Sequence, residues 1–202
     1  QIITEVQAIT DFAQVKTMSE EDAKAAGLYE VIGEEIDDKY MGALKKLVLR
    51  PEAIKEQADK LKIVYTPLHG TGNIPVRRVL KELGFNNVYV VKEQELPDGD
   101  FPTVSYPNPE DKNAFTLALK LAAEVDADIV LATDPDADRL GIYAKNEKTG
   151  EYESFTGNMS GMLILEYLLS QRKELGMLPE NGAVVTTIVS GKMARAIAKE
   201  YN

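Results

Sequence analysis

A short apolar run at residues 129–132 leads through Thr133 into three alternating carboxylates, Asp134, Asp136 and Asp138, with Arg139 directly behind them. The run has the length and composition of a buried strand, so the acidic groups collect where that strand ends. Three anions within five residues repel one another, and such crowding is costly unless a cation sits among them. In an extended or turning loop, positions i, i+2 and i+4 can all point at one spot. Oxygen donors alone select a hard ion, which makes Mg2+ the expected cofactor and Asp134, Asp136 and Asp138 its expected ligands. A cation beside an arginine also meets the needs of a phosphoryl group in transfer.

Two other loops begin in a similar way. An EF-hand opens Asp-x-Asp-x-Asp but needs Gly at position six and Glu at position twelve; Arg139 and Lys145 stand there, which rejects it. A phosphatase of the haloacid-dehalogenase kind would use Asp134 as nucleophile, yet that pattern wants Thr or Val where Asp138 stands. The plainest alternative is a solvated acidic turn. Strict alternation at the end of a buried strand favours a metal site over it.

The chain has 202 residues, enough for one large or two small domains. It carries 23 basic and 33 acidic groups, a net charge of -10, with no basic run. That balance argues against nucleic acid and anionic membrane surfaces as partners. With no cysteine and the single histidine His69, disulfide frameworks, thiolate zinc sites and multi-histidine centres are excluded. No apolar run approaches the ~20 residues of a membrane span, and no signal peptide opens the chain, so the expected location is the cytoplasm. The chain starts at Gln1 and stops at Asn202 just after an apparent helix, which suggests a piece of something larger.

Along the chain, Ser19 caps a short expected helix that ends at Gly27, and residues 28–32 look extended. From Glu34, the positions Ile36, Tyr40, Leu44, Leu47 and Val48 recur at helical spacing. Strands are expected at 62–65, 87–91, 129–132 and 140–144. Between them lie a helix from about Ile74 to Gly84 and another capped by Asn108, with Pro109 at its first position, burying Phe115, Leu119 and Ala122. The result is an α/β fold: a three-layer α/β/α domain on a mixed, mainly parallel four-stranded sheet, its fourth strand antiparallel after a tight turn. A helix from Gly157 to about Lys173, a strand at 183–189 and a helix at 191–201 form an incomplete second α/β unit. Met162, Leu165, Leu168 and Leu169 are its candidate buried residues. Left without partners, Met162, Leu165 and Leu169 are expected to seek cover in a dimer.

The loop from His69 to Asn73 joins a strand to a helix N-terminus, where an anion can be held. It is neither a Walker loop nor Gly-x-Gly-x-x-Gly, since Pro75 fills the last place. His69 is either a substrate-facing residue or a packed histidine in a glycine turn. The carboxyl edge of a parallel sheet gathers this loop and the acidic one together. Ser190 has no triad partner and is expected to be an N-cap; Lys192 is expected to be solvent-exposed.

Taken together, TDPDADRLG at 133–141, TPLHGTG at 66–72, FPTV at 101–104 with PNPE at 107–110, and TGN at 156–158 resemble the α-D-phosphohexomutase superfamily. Within it the chain is most similar to bacterial α-phosphoglucomutases of the phosphoglucomutase/phosphopentomutase branch. The resemblance implies a four-domain enzyme, of which residues 1–32 are the tail of domain 1, 33–150 domain 2, and 151–202 the beginning of domain 3. It implies that Asp134, Asp136 and Asp138 hold Mg2+ and that Arg139 approaches the active-site phosphate. It implies the interconversion of glucose 1-phosphate and glucose 6-phosphate through a phosphoserine and glucose 1,6-bisphosphate. The family's serine loop, sugar loop and distal phosphate loop have no counterpart in the chain, so the chain alone is expected to be inactive. An aspartate-nucleophile phosphatase and a non-catalytic α/β binding module stay open as alternatives.

Overall fold

A computed structural model describes residues 1–201. The chain divides into two compact units, Gln1–Lys39 and the remainder from Tyr40. In the first, α1 (Ile2–Ala8) and α2 (Glu20–Ala25) are short. The Ser19 hydroxyl accepts from the Asp22 amide at 3.1 Å and caps α2 as expected. No residue among 1–39 is buried. Residues 28–32 are irregular; no strand pairs with them. Helix α3 (Glu34–Lys45) runs across the boundary. Its periodicity buries Met41, with Leu49 beyond its end, while Ile36, Tyr40 and Leu47 are exposed. Pro51 opens α4 (Pro51–Gln57), a position where its missing N–H is not needed.

The second unit is built on strands β1 (Ile63–Thr66), β2 (Val88–Val90), β3 (Ile129–Thr133), β4 (Leu140–Lys145) and β5 (Tyr152–Phe155). Their order is β2-β1-β3-β4-β5. β1 runs parallel to β2 and β3, and β4 runs antiparallel to both β3 and β5. All four residues of β1 are buried, so both faces of the sheet centre are covered. Helix α5 (Asn73–Glu82) follows β1, and α6 (Thr116–Val125) follows a long loop after β2 and packs on β1 and β3. Val64, Val91, Phe115, Ala118, Ala122, Val130, Ala132 and Tyr143 belong to the core. The rings of Phe115 and Tyr143 lie 4.6 Å apart at a tilt, and Gly141 admits them, since a Cβ there would stand 2.8 Å from the Phe115 ring.

Four expectations need correction. The sheet has five strands, because the turn after β4 closes through Asn146 N to Glu151 O at 2.8 Å and returns residues 152–155 onto β4. Residues 183–189, for all their β-branched content, form no strand; among the described residues no strand pairs with them to take up their backbone groups. Asn108 does not start α6: its side chain accepts from the Glu110 amide in a local turn, Asp111 caps a 3-10 turn at Lys112–Phe115, and the α-helix begins at Thr116. Ser190 caps nothing. It ends a short 3-10 turn and hydrogen-bonds Thr187 at 2.9 Å, with α8 (Met193–Glu200) starting after Lys192. Helix α7 (Gly157–Glu174) packs on β4 and β5, with Met162, Leu165, Leu168 and Leu169 half-buried. No described helix is long and apolar enough to cross a membrane.

Candidate metal centre

The acidic loop, residues 134–139, joins the carboxyl end of β3 to the start of β4. Ala137 adopts a left-handed conformation (φ 59°), and its amide donates to the Asp134 carbonyl at 3.0 Å, closing a turn. The turn brings one carboxylate oxygen each of Asp134, Asp136 and Asp138 to within 4.8 Å of one another. Asp134 is buried and the other two are exposed, so the cluster opens to solvent on one side. Asp134 Oδ1 accepts the Arg139 amide at 2.9 Å.

The electrostatics match this crowding. A hydrogen bond with Asp134, then repulsion from Asp136 and Asp134, hold the Asp138 carboxyl above its ordinary value. The Arg139 guanidinium offsets part of the charge, its Nε lying 3.5 Å from Asp134 Oδ2 and 3.7 Å from Asp138 Oδ1. The neighbouring Tyr106 hydroxyl is the largest influence raising the Arg139 pKa, with the two aspartates adding to the rise. Three convergent carboxylates with no nitrogen or sulfur donor form a hard-ion donor set, which fits Mg2+ or Mn2+.

His69 lies in the 66–72 loop, whose Thr71 amide reaches Pro135 of the acidic loop. It is 5% exposed. Its Nδ1 lies 3.1 Å from the Leu96 carbonyl and its Nε2 2.8 Å from Thr103 Oγ1. A carbonyl only accepts, so Nδ1 donates to Leu96; in the neutral ring Nε2 then accepts from Thr103. Gln94 Nε2 donates to the same Thr103 oxygen at 3.1 Å, and Thr66 Oγ1 donates to Gln94 Oε1 at 2.7 Å. This buried network ties the 66–72 loop to the 94–103 loop. Lys192 is exposed and lies at the start of α8.

Sequence reasoning missed three contacts here: Tyr106 on Arg139, the buried Gln94, and the seat of Thr71 on Pro135, whose amide-to-carbonyl distance is 2.8 Å. Only the last left a trace in the sequence, as the glycines at 70 and 72 that flank Thr71.

Comparison with known proteins points to one family. A probable phosphomannomutase of Haemophilus influenzae is 35% identical over 182 residues, covering 90% of this chain and 35% of its own length. A phosphoglucomutase of Staphylococcus epidermidis is 41% identical over 146 residues, covering 72% of this chain and 26% of its own. One of Staphylococcus aureus is 39% identical over 167 residues, covering 83% and 28%. The chain thus spans about a quarter to a third of the length of these relatives. A solved structure of a putative phosphomannomutase from Thermus thermophilus shares the fold, with a TM-score of 0.52 at 24% identity over 72% of this chain and 30% of that one. Residues 38–150, more than half of the sequence, match the family described as phosphoglucomutase/phosphomannomutase, alpha/beta/alpha domain II, and the chain belongs to that family.

Proposed function

We propose that the chain is the metal-binding segment of a hexose-phosphate mutase that interconverts glucose 1-phosphate and glucose 6-phosphate in the cytoplasm. The observation that supports this most is the convergence of Asp134, Asp136 and Asp138 within 4.8 Å at a strand end, in a chain of this family. Glucose is proposed because phosphoglucomutases stand among the relatives at 35–41% identity; the Haemophilus influenzae relative, a probable phosphomannomutase, is 35% identical over 182 residues. In this proposal residues 1–32 are the tail of a preceding domain, 33–150 the metal-binding domain and 151–202 the beginning of the next.

The three aspartates hold Mg2+, which when bound neutralises charge on the phosphoryl oxygens. Arg139, about half exposed, exchanges its loose contacts with Asp134 and Asp138 for the phosphate. In this reading another part of the intact enzyme supplies the phosphoserine. Its phosphoryl group passes to the free sugar hydroxyl: the serine O–P bond breaks, the new sugar O–P bond forms, and the hydroxyl proton leaves to a base. The resulting glucose 1,6-bisphosphate turns over and returns its other phosphoryl group to the serine. Asp134 is ill suited to be a nucleophile, being buried with one oxygen bonded to the Arg139 amide. Self-association of the chain, expected through Met162, Leu165 and Leu169, would instead use the exposed α7 residues Leu163, Ile164 and Tyr167, because the first three are half-buried.

The test is an assay of the pure chain with glucose 1-phosphate, Mg2+ and a trace of the bisphosphate. Neither glucose 6-phosphate nor free phosphate is expected. Glucose 6-phosphate would sink the division of labour proposed above, and free phosphate would restore Asp134 as a nucleophile.

A further inference from the structure

The acidic loop is fixed from two directions. Two of its backbone amides donate to Asp134: Ala137 N to the Asp134 carbonyl, and Arg139 N to Asp134 Oδ1. The peptide that leads to Asp136 is held from outside. The carbonyl of Pro135 accepts two hydrogen bonds from Thr71, one from its amide at 2.8 Å and one from its hydroxyl at 3.0 Å.

The close approach depends on glycine. A Cβ on Gly70 would stand 2.3 Å from Pro135 Cα and 2.5 Å from its carbonyl oxygen. Both are backbone atoms of a proline, which have no rotamer to swing away. On the other side of Thr71, a Cβ on Gly72 would stand 2.6 Å from both the Tyr65 hydroxyl and the Thr133 hydroxyl. The segment carrying Thr71 is rigid in its turn. Leu68 and His69 both have positive φ, and the His69 amide donates to the Gln94 carbonyl at 2.9 Å.

We propose that Thr71 is a positioning residue for the metal carboxylates, setting where Asp136 stands relative to Asp134 from a seat that only glycine at position 70 permits. The inference rests on the metal-site proposal above. It gives the 66–72 loop a part in the centre: a template that shapes the acidic loop before any ion arrives, so that less ordering remains to be done on binding.

The test uses Mn2+ as the probe and the full 202-residue chain, followed by electron paramagnetic resonance, with metal-free melting measured in parallel. Thr71→Val keeps the side-chain shape and the amide bond but loses the hydroxyl. With one hydrogen bond lost, it should weaken Mn2+ binding about three- to tenfold and alter the bound-ion spectrum, whereas Thr71→Ser should stay within about twofold of the parent. Gly70→Ala should weaken binding more than Thr71→Val does; should it fail to fold, Thr71→Val decides the matter. A Thr71→Val chain that melts lower yet binds Mn2+ with the parent's affinity and spectrum would overturn the inference while leaving the metal site standing. A parent chain that binds no Mn2+ would remove the metal site and the inference with it.

Discussion

The hydroxyl groups of Tyr65 and Thr133 stand 2.8 Å apart and join the ends of the parallel strands β1 and β3, one residue before the first candidate metal ligand. Both residues are buried, and burial holds the Tyr65 phenol above its ordinary value. Tyr65→Phe leaves the Thr133 hydroxyl unpaired in a dry place. The expected loss is about 1–2 kcal/mol in urea denaturation; an unchanged midpoint would mean that another group takes over the bond.

Asp138→Asn should act in opposite directions on stability and on binding. Its carboxyl is held above its ordinary value by Asp134 and Asp136, so the metal-free chain is strained by charge at neutral pH. The amide removes one anion and should raise the metal-free melting temperature. The same change removes a ligand and should weaken Mn2+ binding. A lower metal-free melting temperature would show that the repulsion is not felt.

Glu82 gives a pH dependence of the opposite sign. Hydrogen bonds from Lys45 first and Arg78 second hold its carboxyl below its ordinary value of 4.5. A depressed folded-state pKa contributes stability that is present above the unfolded value and is lost as pH falls through the folded one. Glu82→Gln should therefore be less stable than the parent at neutral pH and draw level with it under acid conditions below 4.5. The group is exposed, so the gap should shrink in high salt. Parallel melting curves at every pH would contradict this.

Phe115 sits at the join between the 3-10 turn and α6 and is 1% exposed, its ring tilted against Tyr143. Phe115→Ala opens a cavity in the centre of the core. A loss of about 3–5 kcal/mol is expected, read from the denaturation midpoint; a loss below about 1 kcal/mol would mean that the core collapses around the gap.

The central strands were legible because β1 and β3 are uninterrupted apolar runs, the pattern of strands covered on both faces. The same logic failed at 183–189, where β-branched content promises a strand but pairing depends on a partner that sequence cannot supply. It failed in a smaller way at Asn108, whose side chain takes a local turn in place of a helix cap. At the candidate centre, alternation singled out Asp134, Asp136 and Asp138 because all three fall in the six-residue connection between β3 and β4, which brings their oxygens together. What holds them could not be read from local pattern: Thr71 and Pro135 are 64 residues apart, and Tyr106 meets Arg139 from another loop. The lone histidine stood out by rarity, yet both its ring nitrogens are engaged by neighbouring loops.

The most direct measurement is a calorimetric titration of the chain and of Asp136→Asn with Mn2+, alongside circular dichroism. The parent should bind one ion saturably, and the variant should bind at least about tenfold more weakly with an unchanged dichroism spectrum. Superimposable titrations, or no binding by either chain, would contradict a metal centre built from these three aspartates.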